Sequence, residues 1–421
     1  MTLMKRQSNR QIRKPLPVEH VEVSHKHMGL RLGFFIFFLI LAIVGIGLGT
    51  YFAVRQESGW QLVKPRDSAK TNCSDEFNFY YYLDGKASAN KTESKAVQNK
   101  YTELTVTVYQ LFTPYEEIAG VHNVYYINHH YNEEIEVDSV LYNAFEKVAS
   151  SRFIFGAPVQ TARDSLLSNA NLEDWQVAEY DPAKSDSALA DCLELLSFTN
   201  DENHVRIELL GNNKIVLRVS DEYRNFIVAN EIDYIIDFSY WKNAFIIDYM
   251  ASELIGAGFS KGFLVSYDGY TRTLSDQNCS FYIFSKIDGS ISYTAIAQLS
   301  GNFSSISLRS FGIGGMSDNL HYKYADGTYL HCYFDMTDAL SKCSTDSLVV
   351  YSKTKKCTDI LQGVYTIWIA DSFDKAALTA LKANGAEYVY ARDSTVHYSD
   401  ESLVVLLAEN TDNITYSAIK D

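Results

Sequence analysis

The chain is short of the residues that mark several protein classes. Proline occurs 6 times and glycine 22 times in 421 residues, which excludes collagen-like and low-complexity architectures. Six cysteines over this length are too sparse for a disulfide scaffold. Basic residues are also outnumbered, 37 Lys+Arg against 52 Asp+Glu, for a net charge of −15. Such a chain has no electrostatic reason to bind nucleic acid, and none is expected as a partner. No G-x-G-x-x-G or G-x-x-x-x-G-K-[ST] motif is present. What is present is a globular proportion of hydrophobic residues, 47%, with 30 Tyr and 23 Phe.

The charge is unevenly placed. Residues 1–31 carry seven basic and two acidic side chains, a net +5, which leaves −20 for the remaining 390 residues. Between the two lies Leu32–Val54, uncharged throughout (LGFFIFFLILAIVGIGLGTYFAV). As a helix this run would span roughly 34 Å, enough for a bilayer core of about 30 Å. The basic flank puts the N-terminus on the cytoplasmic side. The apolar core is longer than a cleaved signal peptide needs, and no small-x-small site follows it. A single-pass signal anchor over 32–54 is expected, with a cytoplasmic tail over 1–31 and everything from Arg55 outside the cytoplasm. Gly45 and Gly49 have helix-pairing spacing, although Gly47 makes a merely small-residue helix the simpler reading.

All six cysteines fall in the exported part, where disulfides are permitted. A link among Cys332, Cys343 and Cys357 is the local expectation, and nothing has zinc spacing. Five N-x-S/T sequons, at Asn72, Asn90, Asn278, Asn302 and Asn413, leave glycosylation open.

Residues 55–99 are polar and read as a stalk, 100–405 as one mixed α+β domain, and 406–421 as a tail. Period-two alternation in YTELTVTVYQLF predicts a strand from Tyr101. Helical spacing predicts helices over EIEVDSVLYNAFEKVAS and over SDSALADCLELLSF, the latter with Leu189, Cys192, Leu193 and Leu196 on one face. Further helices are expected from Tyr240 to Ile255, over TDILQGVYTIWIA and over DKAALTALKANG. HVRIELLGNNKIVLRV and SFYIFSKIDGSISYTAIAQ predict hairpins, while FLVSYDG, YLHCYFD, SLVVYSK and AEYVYAR predict strands. His129-His130 lies in a strand-like aromatic stretch, where an edge or surface pair is the simplest reading.

Four short segments, in order, carry a resemblance. They are Asp237-Phe-Ser-Tyr-Trp-Lys-Asn-Ala-Phe-Ile-Ile-Asp248, then Leu299-Ser300-Gly301, then His331-Cys-Tyr-Phe-Asp-Met-Thr337-Asp338, and last Thr358-Asp359-Ile-Leu-Gln-Gly363. The order and the elements between them are similar to those of the FAD:protein FMN transferase (ApbE) family, which has D-L-G-G-I-A-K-G-Y-A-V-D, T-S-G, H-I-I-D-P-x-T-G and A-D-x-x-x-T. The resemblance spans roughly residues 100–400 and is stronger after 230. It implies an ApbE-like fold and transfer of FMN from FAD to a Thr or Ser of an exported flavoprotein, with Mg²⁺ and release of AMP. In that chemistry the metal neutralises phosphate charge and positioned donors hold the substrate.

The resemblance makes Asp359 the magnesium ligand, a hard carboxylate suited to the ion, and puts His331 beside it in the chemistry. Asp237, Asn243, Asp248, Ser300, Gly301, His331 and Thr337 would line the flavin site. Each also has a plain structural reading: a strand-end cap for Asp237, a paired core acid for Asp248, a turn for Ser300-Gly301, a core histidine for His331 and a helix-start acid for Asp359. The departures are chemical. The family lysine falls on Asn243, the partner threonine on Gly363, and the glycines that admit the flavin on Ser239, Tyr240 and Ala244. Three readings follow: an active anchored transferase, a descendant that binds flavin or a partner without transfer, and an unrelated cell-envelope binding module.

Overall fold

A computed structural model describes residues 58–69, 71–169, 171–311 and 320–421. The tail and apolar run over 1–54 lie outside the described residues. Among the described residues no helix is long and apolar enough to cross a membrane.

The chain begins with β1 (Gly59–Val63), β2 (Phe77–Leu83), α1 (Ala87–Phe112), α2 (Val124–His129), β3 (Ile135–Glu136) and α3 (Ser139–Val148). A helical stretch follows: α4 (Ala157–Ser168), α5 (Asp174–Tyr180) and α6 (Asp186–Thr199). Next come β4 (Val205–Gly211), β5 (Lys214–Val219), α7 (Asp221–Ala229) and α8 (Lys242–Gly256). The strands β6 (Gly262–Ser266), β7 (Tyr270–Thr273), β8 (Gln277–Ile287), β9 (Ser290–Gly301), β10 (Ser304–Arg309), β11 (His321–Lys323), β12 (Tyr329–His331) and β13 (Ser347–Ser352) succeed it. The chain closes with α9 (Cys357–Trp368), α10 (Lys375–Ala383), β14 (Glu387–Arg392), β15 (Thr395–Tyr398), β16 (Val404–Leu407) and β17 (Ser417–Lys420).

A nine-stranded sheet, ordered β1-β2-β6-β7-β10-β13-β14-β15-β17, is antiparallel except for the last pair. Its alternating residues divide the core in two. Phe79, Tyr81, Leu264, Ile306, Leu348 and Val350 face the helices α1, α8 and α9. Val349, Tyr351, Val389 and Val396 face a three-stranded sheet, β16-β9-β8, through Ile283, Ala295 and Ala297. The period of two along each strand makes both faces apolar, so the sheet is sandwiched where it is covered.

The mixed α+β expectation holds, with corrections. The strand predicted from Tyr101 is the second half of α1. Its buried residues Val97, Tyr101, Leu104, Thr105, Val108, Leu111 and Phe112 follow a helical stripe, which β-branched Thr and Val had disguised as alternation. The segment 55–99 read as a stalk contributes β1, β2 and the start of α1; Phe77, Phe79, Tyr81 and Leu83 are buried in the main sheet. The tail read over 406–421 contains β17, which extends that sheet beside β15. His129 lies in helix α2, not on a strand. The helix α6 buries Leu196 but leaves Leu193 41% exposed. All six cysteines are free thiols, so the expected link among Cys332, Cys343 and Cys357 is not formed. The sequon at Asn90 is buried: its Oδ1 accepts from Gly85 N at 2.8 Å and its Nδ2 donates to Ser58 Oγ at 3.3 Å.

Candidate functional site

The entry to α8 carries the first motif. Ser239 has a φ of +48°, a left-handed conformation that favours glycine and stands at a position of family glycine. Ser239 Oγ donates to Asp237 Oδ2 at 3.4 Å, and Asp237 Oδ1 is buried with no partner. Burial raises the Asp237 pKa against the pull of Lys242.

The next position, Tyr240, is filled rather than open. Its ring stacks on Tyr365 at 5.0 Å and touches Phe153 at 4.4 Å and Tyr333 at 5.2 Å. Tyr270 Oη donates to the Tyr240 carbonyl at 2.8 Å and meets Tyr365 Oη at 3.0 Å. Aromatic side chains thus occupy the volume that glycine would leave for a ligand. This volume does not fit a flavin.

The charge at the motif is displaced by one residue. Lys242 Nζ binds Glu76 Oε1 at 2.8 Å, while Asn243, buried beside it, donates from Nδ2 to Asp268 Oδ2 at 3.2 Å. Burial disfavours the Lys242 cation, but Glu76, Tyr267 and Asp237 outweigh it and hold its pKa above the ordinary value.

Two expected residues are brought together. Asp248, on α8, and Asp359, in the first turn of α9, line one recess of about 470 Å³ with Ser139, Asn143, Lys147 and Lys356. Asp248 accepts from the backbone N–H groups of Cys357 at 3.3 Å and Thr358 at 2.9 Å, so it caps α9 from a neighbouring helix. Burial raises the Asp248 pKa, opposed by those donors and by Arg272 at 3.9 Å. Asp359 accepts from Lys147 Nζ at 2.8 Å and Lys356 N at 3.1 Å. Partial burial would raise its pKa, but the Lys147 and Lys356 contacts outweigh burial and lower it.

The donor set does not fit a magnesium ion. Both oxygens of Asp359 are engaged, one by a cation. Gly363 supplies no oxygen, and the space beside it is taken: a Cβ there would stand 2.7 Å from Leu381 Cδ2. Among the described residues no cluster of three or more His, Cys, Asp or Glu could hold a metal.

The remaining expected residues lie elsewhere. Ser300 and Gly301 end β9, where they pair with Asn278 and Gln277 of β8. Thr337 is exposed and donates from Oγ1 to Asp335 Oδ1 at 2.7 Å, a local turn. His331 is buried beside Cys343, with Nε2 3.3 Å from the sulfur. Burial, then Arg163, push its pKa down to about 3, so the ring is neutral. Neither His331 nor Asp237 lines the Asp359 recess.

A second cavity, also of about 470 Å³, lies where β6, β7 and β10 meet β8. Its lining includes Tyr267, Asp268, Tyr282, Arg309, Phe311 and His321. Gly269 is fixed here by geometry: φ is +101° and a Cβ would stand 1.9 Å from the Ser307 carbonyl oxygen. Asp268 accepts from Ser266 Oγ at 2.5 Å and from Asn243. Burial raises its pKa to about 7, with Glu76 adding to the shift. Asp268, Arg309 and His321 were missed from the sequence. The Asp268-Gly269 turn after FLVSY was the available signal.

Solved structures share the overall fold. The ApbE protein from Thermotoga maritima superposes with a TM-score of 0.50 at 11% identity, over 84% of this chain and 97% of that one. The flavin transferase ApbE from Vibrio cholerae gives 0.49 at 12% identity, over 79% and 93%. The apo flavinyl transferase ApbE from Pseudomonas stutzeri gives 0.43 at 10% identity, over 79% and 90%. No family sequence model and no curated protein sequence matches the chain. At such low identity the Thermotoga superposition establishes architecture alone: the chain has the fold of the ApbE flavin transferases.

Proposed function

We propose that this chain is a single-pass, membrane-anchored extracytoplasmic protein that has kept the flavin-transferase fold and a ligand cavity but not metal-dependent transfer. The Lys147–Asp359 pair carries the reading. Transfer of FMN from FAD needs a divalent ion on the diphosphate; here the equivalent carboxylate faces an ammonium at 2.8 Å, and the partner threonine is Gly363. The Tyr240 cluster supports the same conclusion from the flavin side. What remains is the cavity at Asp268, within the size range of small-molecule sites. Its aromatic walls and polar Asp268, Arg309 and His321 suit a planar, hydrogen-bonding ligand such as a flavin.

The test uses the full chain in nanodiscs with FAD, Mg²⁺ and an exported flavoprotein acceptor. Flavin fluorescence should report saturable binding, while AMP and covalent flavin stay at background. AMP release that disappears in Asp359→Ala would restore the active transferase. Absence of flavin binding would leave a protein-partner role on the same fold.

A further inference from the structure

The outer face of the main sheet is covered at one end only. The β16-β9-β8 sheet packs over β13, β14 and β15, whereas β1 and β2 contribute no side chain to that second core. On that uncovered end the register sets Trp60 opposite Tyr82, Leu62 opposite Tyr80, and Tyr80 opposite Phe263. The side chains that alternate with them, Phe79, Tyr81, Leu83 and Leu264, are fully buried against the helices. The outward set forms one aromatic patch. Trp60 contacts Tyr82 at 5.3 Å and Phe263 at 5.5 Å, and Tyr80 stacks on Phe263 at 5.1 Å. Trp60 is 48% exposed, Leu62 45% and Tyr82 39%. Isolated exposed apolar residues need no explanation, but a contiguous patch of this composition does.

The sequence says what lies within reach. The apolar run ends at Val54 and Trp60 is six residues on. Six extended residues reach at most roughly 20 Å, and the headgroup layer adds only about 5–8 Å to the hydrocarbon core on each side. Trp and Tyr rings partition to that layer because an apolar body and a polar N–H or O–H are both satisfied there. We infer that the Trp60–Leu62–Tyr82 face of β1 and β2 docks on the outer-leaflet interface of the membrane that anchors the chain, fixing which side of the domain faces lipid. This rests on the anchoring proposed above. The net charge of −20 beyond residue 31 opposes anionic lipid, so the contact is apolar rather than electrostatic.

The apolar run contains no tryptophan, so tryptophan emission reports the exported part alone. The full chain is reconstituted in phosphatidylcholine nanodiscs with and without bromine-labelled acyl chains, and compared with Trp60→Phe. Brominated lipid should quench a component of the emission, and that component should vanish in Trp60→Phe. Leu62→Ser with Tyr82→Ser, both at exposed positions, should weaken the quenching while leaving the circular dichroism spectrum unchanged. Alkaline extraction of native membranes separates the two ways to fail. A chain released by alkali overturns the anchor and this inference together. A chain retained but unquenched overturns the docking alone, and concentration-dependent shielding of Trp60 in its place would assign the face to a second copy.

Discussion

The recess at Asp359 and the cavity at Asp268 are similar in volume and differ in the donors that meet their carboxylates. In the recess, every carboxylate oxygen meets a donor: two backbone N–H groups serve Asp248, and Lys147 with Lys356 N serve Asp359. In the cavity, each Asp268 oxygen also meets a donor, but both are neutral side-chain groups, a hydroxyl and an amide, and burial pushes its pKa to about 7. The first is satisfied internally and has little to offer a cation. The second holds a carboxyl that is costly to ionise, the condition under which a ligand donor is most welcome. The recess is thus a joint between α3, α8 and α9, while the cavity keeps a buried carboxyl in its wall.

The largest expected effect concerns the aromatic fill that accompanies the closed recess. Tyr240→Ala should cost roughly 3–5 kcal/mol in chemical denaturation, the range for removing a large buried aromatic. If the fill is what excludes a ligand there, flavin affinity should rise in the same variant. A cost below about 1 kcal/mol would show that the ring is not packed as described.

The Asp268 carboxyl sharpens the contrast through pH. Its folded pKa of about 7 lies above the unfolded value of about 3.9. The folded state then binds more protons across that window, so the stabilising contribution is complete below pH 4 and is lost as pH rises to 7 and beyond. The full swing is up to roughly 4 kcal/mol, and Asp268→Asn should flatten it in urea midpoints measured from pH 4 to 8. An unchanged slope would place the titration elsewhere.

The smallest effect belongs to the recess. Lys147 is largely exposed, so Lys147→Ala should cost under about 1 kcal/mol. It should nevertheless raise the Asp359 pKa toward the ordinary carboxylate value, read by side-chain NMR. Magnesium binding in Lys147→Ala, absent in the native chain, would show that one lysine alone blocks the metal.

Much of the second half of the chain was legible because its elements are locally consistent. The Asp288-Gly289 hairpin, the α9 stripe and the AEYVYAR strand each agree with their tertiary setting. The failures share a cause. In α1 the Thr and Val residues favour strand locally, and only packing against the sheet reveals the helical stripe. In the lead-in, the aromatic run Phe77–Leu83 is strand-like by itself, but the polar KASANKTESKAVQNK beside it dominated the reading of the whole segment, and pairing with β6 shows the run to be core. Among site residues, Asp248 and Asp359 meet because α8 and α9 pack together, which their separation by over a hundred positions does not reveal.

The amino-acid order by itself determined the charge asymmetry, the apolar run and the succession of worn motifs, since these are properties of composition and spacing. Whether those motifs still form a working site was decided only in three dimensions. Lys147 lies 212 positions from Asp359 and Tyr365 lies 125 positions from Tyr240; a charge is neutralised, or a pocket filled, by whatever side chain the fold brings within a few ångströms, and that neighbour is set by packing rather than by sequence distance.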